Sequence, residues 1–134
     1  MIEYVPALRI ARAMAIRAAL DAAGSAGALA LYAVDLDEGE APAEPALITL
    51  PLPYPCGTVD ADGLHIAALT ETAVAHTGQP ITGRLFDGAG NPVADLDVGD
   101  QSSDASLRLL VDGGPDGVTL YAGGLLALDG MRLA

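Results

Sequence analysis

Apolar and polar positions alternate most clearly between Ile81 and Gly99, in the stretch ITGRLFDGAGNPVADLDVG. Two short alternating runs flank a turn-rich centre, DGAGNP, whose Gly, Asn and Pro tolerate or fix unusual φ angles. Setting Phe86 opposite Val93 places Arg84 against Asp95, Thr82 against Asp97, Leu85 against Ala94 and Ile81 against Val98. Side chains alternate across a strand. This register therefore sorts Ile81, Gly83, Leu85, Ala94, Leu96 and Val98 onto one face, and Thr82, Arg84, Phe86, Val93, Asp95 and Asp97 onto the other. A slip by one residue would undo the sorting. The pattern predicts a half-buried antiparallel hairpin with one dry face and one wet face. The cross-strand Arg84–Asp95 pair supports it by about 0.2–1 kcal/mol.

A helical pattern occurs once, over Pro6–Ala23. Proline suits a first turn, Ala, Leu, Arg and Met are strong helix formers, and Gly24 supplies the stop. At about 100° per residue, Ala7, Leu8, Ile10, Ala11, Met14, Ala15, Ala18 and Ala22 share one arc. Arg9 and Arg12 lie on the opposite side, and Ile16 and Leu20 fall there too. A helix apolar on one face and half-apolar on the other can dock twice, once on its own body and once on a neighbour. The alternative is that Ile16 and Leu20 lie under a loop.

The rest reads as short strands. Ala28–Val34, Ala46–Leu52, Leu64–Leu69, Thr72–His76, Ser106–Val111, Val118–Ala122 and Leu125–Leu128 carry strand patterns, Leu64–Leu69 and Thr72–His76 being two short strands or one bent strand. Asp35–Pro45, Pro53–Gly63, Asp100–Asp104 and Asp112–Gly117 read as loops or turns. Pro51 argues that Ala46–Leu52 is an edge strand. About eight strands at roughly ten-residue spacing predict an antiparallel β-sandwich or jelly-roll-like body. One domain is expected, with residues 1–23 a helical arm and 24–134 the body.

Composition sharpens this in three places. Half of the 134 residues are apolar, yet there are one Phe, four Tyr and no Trp. A Leu/Val/Ala core buries less area per residue than an aromatic one. Either stability is shared with a partner surface, or this is an ordinary aliphatic core from a GC-rich genome. Charge is the second. The net is −12, with no Lys; residues 1–23 sum to +1 and residues 24–134 to −13. So acidic a body repels nucleic acid, whose binding needs cations to displace counterions. The acid serves solubility or complements a basic partner. Third, Cys56 is the single cysteine, which excludes an intramolecular disulfide or a zinc site built from cysteines. No run of about 18 apolar residues predicts a membrane span. Arginines scattered through the first twenty residues argue against a signal peptide, so synthesis in a cytoplasm is expected.

Reaction chemistry finds little to stand on. Asp95, Asp97, Asp100 and Asp104 crowd one region, and carboxylates at short spacing suit Ca²⁺. No EF-hand spacing is present, and DGGPDG occurs once where calcium-binding repeats stack. Solvated turn acids are the simpler reading, and no metal or cofactor is expected. His65 alternates with Leu64 and Ile66 and so faces solvent, and His76 sits at a strand end. Two isolated His, one Cys and no nucleophile elbow compose no triad, and no Gly-rich loop joins a strand to a helix. The chain is expected not to be an enzyme.

Two stretches carry a resemblance. LRIARAMAIRAALDAAGSAGALALYA is similar to the N-terminal helix-then-strand of a family of small tailed-phage virion proteins, with its "AIRDALDAG"-type helix end. ITGRLFDGAGNPVADLDVG resembles that family's hairpin, with a D-x-x-G turn and a "DGDVG"-like strand end. GVTLYAGGLLAL stands in the place of its last two strands. The acidic DLDEGEAPAEP replaces a "GTRP"-like turn, and the tryptophan frequent in the hairpin strand is absent. The resemblance implies a capsid decoration or cement protein, a small β-sandwich or jelly-roll unit on the capsid exterior that ties neighbouring major capsid subunits together, with no nucleic-acid or membrane contact. A homodimer would straddle a two-fold seam. Candidate contacts are Arg9, Ile10, Arg12, Met14, Ile16 and Leu20 on the helix, and Leu47 and Thr49 on the edge strand. The alternative is a tail or baseplate-associated β-module, possibly glycan-binding; only Tyr4, Tyr32, Tyr54, Tyr121 and Phe86 offer aromatic platforms for a sugar.

Overall fold

The computed structural model describes residues 6–34, 42, 44–66, 69–100, 107–109, 119–128 and 131–133. Among these residues the chain is mainly β with one helix. Helix α1 spans Pro6–Asp21. Ten strands follow among the described residues: β1 (Ala28–Tyr32), β2 (Ile48–Pro51), β3 (Gly57–Asp60), β4 (Gly63–Ile66), β5 (Leu69–Ala73), β6 (Thr82–Phe86), β7 (Pro92–Asp100), β8 (Leu107–Leu109), β9 (Leu125–Leu128) and β10 (Met131–Leu133).

They form a five-stranded sheet in the order β2-β1-β6-β7-β8, a three-stranded sheet β10-β4-β3 and a two-stranded sheet β5-β9. Pairing is antiparallel except between β7 and β8, which run parallel. The small sheet is tied to the edge of the large one: the backbone N–H groups of Ala75 and His76 donate to the Leu47 carbonyl at 2.8 and 3.2 Å.

The expected hairpin register is present. Thr82 pairs with Asp97, Gly83 with Leu96, Arg84 with Asp95 and Leu85 with Ala94. The expected Phe86–Val93 pair is not: a bulge sets Phe86 against Pro92. Asp87 causes it. Its N–H donates to the Asn91 carbonyl at 2.9 Å, and its carboxylate accepts from Ala89 and Asn91 N–H at 3.0 and 2.9 Å. The turn therefore closes one residue early.

Two other expectations change, and one left open is decided. Pro53–Gly63 is not all loop, because β3 pairs with β4 across an Ala61-Asp62 turn, with Gly63 at φ 125°. The Asp60 carboxylate accepts the Asp62 N–H there at 2.8 Å. Of the two readings of Leu64–Leu69 and Thr72–His76, two short strands is the one found: they contribute to β4 and β5, in different sheets. Val118–Ala122 forms no strand among its described residues; Leu120 makes a single bridge to Gly78, and a turn follows. The Asp112–Gly117 turn lies outside the described residues, as does most of the Asp35–Pro45 loop.

The core is chiefly leucine: Leu20, Leu29, Leu31, Leu50, Leu64 and Leu85 are fully enclosed, with Ile48 and Cys56. Leu29, Leu31, Leu50, Gly83, Leu85 and Leu96 line the dry face of the large sheet. Gly83 suits that crowding, since a Cβ there would sit 3.3 Å from the Leu29 and Leu31 side chains, which would have to give by a few tenths of an ångström.

Candidate interaction surface

Helix α1 docks through the side opposite to the one its apolar count suggests. Ala13 and Leu20 are fully buried, and Ile16 packs against the core. Leu8 and Met14 are 44% and 49% exposed, and Ala7, Ala11, Ala15, Ala18 and Ala22 are exposed with them. Burial gain scales with apolar area, yet the outward arc holds Leu8, Ile10 and Met14 beside its five alanines, so the fit of Ile16 and Leu20 to the core, with Ala13 allowing close approach, rather than the area of the arc, goes with the docked side. The helix rests on β3, β4 and β7. Gly24, at φ 73°, ends the turn that follows it.

The candidate contact residues divide accordingly. Arg12 and Met14 are exposed, and Arg9 and Ile10 are half-buried. The Arg9 Nε is buried without a hydrogen-bond partner. Ile16 is half-buried beneath the helix. Leu20 and Leu47, at 0% and 3% exposure, belong to the core and offer no surface; both are large aliphatic side chains at positions that close it. Thr49 is exposed on β2. The helix and β2 are not brought together. β2 ends the large sheet, and β1 and β6 separate it from β7.

The wet face of the hairpin also needs correction. Arg84 is only 3% exposed. It projects from β6, between β1 and β7, and shares its face with Tyr32, Thr82 and Asp95. Its Nε and Nη2 donate to the two Asp95 carboxylate oxygens at 2.7 and 3.1 Å. That fork is a charge-assisted pair, and it raises the Arg84 pKa. Burial raises that of Tyr32. Asp95 is thus committed to Arg84. Asp97 is exposed beside it, Asp100 ends β7, and Asp104 lies outside the described residues. Among the described residues no three metal-binding side chains gather.

One feature escapes sequence reasoning. An open groove of about 670 Å³ is lined by Arg17, Pro53, Pro55, Cys56, Gly57, Thr58, His65 and Ile66. It lies where the end of α1 meets β3 and β4. The Cys56 N–H donates to the Asp21 carboxylate at 3.2 Å. Burial and the neighbouring Asp21 push the Cys56 thiol up to about 11. It is therefore protonated near neutrality and is a poor nucleophile or metal ligand. His65 Nε2 stands 2.9 Å from Asp60 Oδ1, and that hydrogen bond holds the Asp60 carboxyl below its usual range. Only the alternation LHI, which turns His65 away from the core, hinted at this pair; the PLPYPC run gave no sign of the groove.

No protein-family model, no curated protein and no solved structure matches this chain. Among the described residues no helix is long and apolar enough to cross a membrane.

Proposed function

We propose that this chain is a structural protein of a tailed-phage virion, a decoration or cement protein that binds the outer capsid surface and clamps neighbouring major capsid subunits. The reading takes the three sheets as a sandwich-like or jelly-roll-like body. The observation that carries it is the pair of separate outward surfaces, the apolar face of α1 and the exposed Thr49 and Pro51 of β2, beyond the Leu47 end where the small sheet is tied. A bridging protein needs two surfaces held at a fixed distance by a stiff body. The resemblance of residues 8–33 and 81–99 to small virion proteins supports it, as does the acidic charge, which suits a particle exterior better than contact with packaged DNA. Binding only to the assembled shell stabilises that shell by mass action, and many weak contacts give avidity.

Fractionating virions into heads and tails and counting copies by quantitative mass spectrometry tests this. Tens to hundreds of copies on heads, with a lower rupture temperature for heads lacking the chain, are expected. Absence from virions overturns the reading. A few copies confined to tails replace it with a tail or baseplate β-module, which the exposed Tyr54 and Tyr121 would equip for glycan contact.

A further inference from the structure

We propose that the groove between the end of α1 and the β3–β4 hairpin binds a small amphipathic carboxylate, with Arg17 and Thr58 holding the carboxylate and Pro53, Pro55 and Ile66 bedding the apolar body. Charge is the first support. The chain carries 18 acids against 6 arginines, yet among the described residues lining this groove none is acidic and one is an arginine. Arg17 is half-buried there. Asp21 lies one helical turn on, at the spacing where opposite charges pair. It accepts the Cys56 N–H at 3.2 Å instead. Among the described residues Arg17 is left with no hydrogen bond or ion pair, and its charge reaches the Cys56 thiol in the groove wall. A guanidinium partly withdrawn from water and unpaired favours an anion that can lie against it.

The rest of the lining selects the kind of anion. Pro53 and Pro55 have no N–H, and that of Cys56 is taken by Asp21. This wall cannot donate to an extended peptide as a sheet edge does; it offers apolar contact. With Nε2 donating to Asp60 at 2.9 Å, the neutral His65 ring keeps only an acceptor at Nδ1. The side-chain donors that remain are the Arg17 guanidinium and the exposed Thr58 hydroxyl, a set that matches one carboxylate. The volume, about 670 Å³, lies within the range of small-ligand sites, about 300–1,000 Å³. An open groove leaves part of the ligand in water. A dissociation constant on the order of 1 mM is therefore expected for an acid of about ten heavy atoms. The site is independent of whether the chain reaches a capsid.

Titrating the full chain with octanoate at constant ionic strength, read by amide chemical shifts in nuclear magnetic resonance, tests this. Saturable shifts at Arg17, Gly57, Thr58, His65 and Ile66 are expected. At about 1 mM, octanol and octylamine should move the same signals less than about one fifth as far. Arg17→Gln should weaken octanoate at least about tenfold with the remaining spectrum in place, and Thr58→Val should weaken it about two- to fivefold. Arg12→Gln, which removes the same charge from an exposed position on the same helix, should leave binding unchanged. The proposal is overturned by an absence of saturable shifts up to about 20 mM, or by shifts that fall outside the groove. Octanol or octylamine matching octanoate overturns it too, as does an Arg17→Gln chain that binds as well as wild type.

Discussion

Removing Asp95 should cost far more than a surface charge normally does. Its partner Arg84 has a side chain only 4% exposed, against 30% for Asp95 itself. Exposed ion pairs contribute about 0–1 kcal/mol, whereas breaking a fully buried pair costs about 3–5 kcal/mol, because a desolvated charge is left behind. Here one partner is enclosed and the other half-open, so Asp95→Ala should destabilise by about 2–3 kcal/mol. Arg84 has no escape by deprotonation, since guanidinium stays charged in proteins. The cost should therefore vanish when the charge goes: Arg84→Met combined with Asp95→Ala should recover most of the loss, methionine filling the space of the arginine stem. Urea unfolding followed by circular dichroism measures this. The midpoint should fall by about 1 M, given a slope of about 1–3 kcal/mol/M, with the slope unchanged. A loss below about 0.5 kcal/mol for the single variant, or a double variant no better than the single, would refute the claim that Arg84 is buried at the cost of needing its carboxylate.

Three further outcomes concern Cys56 and two glycines, Gly57 in β3 and Gly90 in the β6–β7 turn. The Cys56 thiol titrates from 9.0 when unfolded to about 11 when folded; the folded state holds the proton more tightly, so its contribution is full below about pH 9 and is lost as pH rises toward 11. Wild-type stability should fall by no more than about 2–3 kcal/mol more than that of Cys56→Ala over that window, and parallel urea midpoint profiles for the two proteins would contradict the burial of the thiol. Gly57→Ala would put a Cβ 2.1 Å from the His65 carbonyl oxygen, a backbone clash expected to cost about 2–4 kcal/mol. Gly90→Ala meets open space but at φ +87°, so about 1–2 kcal/mol is expected, and thermal melts that rank the two the other way would show that the β3–β4 strands can part.

Where the sequence was legible, it was because one side of an element is closed by the core and nothing else competes. The hairpin register from Thr82–Asp97 to Leu85–Ala94 follows from alternation alone, because any slip would expose Leu85 and Leu96. It fails at Phe86, where the Asp87 carboxylate gathers N–H groups and tightens the turn; side-chain periodicity carries no information about a bulge. The wet face was misjudged at Arg84 for a related reason. Alternation tells which face a residue shares, not how tall its neighbours are, and Tyr32 on β1 stands on that same face. β3 was hidden because GTVD offers one apolar residue in four, and its strand identity comes from pairing with β4 rather than from its own pattern.

Helix α1 shows the limit of counting apolar positions. Eight residues favoured one arc, yet the helix turned Ala13, Ile16 and Leu20 inward and left Leu8, Met14 and five alanines outside. Alanine gains little by burial but costs little when exposed, and it is the best helix former. An alanine-rich outer face therefore supports the helix by propensity while packing of the inner face holds it in place. On a chain without lysine, whose remaining 111 residues are strongly acidic, that surface is where apolar area and relief from negative charge coincide. The same choice of residues that made the helix easy to find made its docked side hard to read.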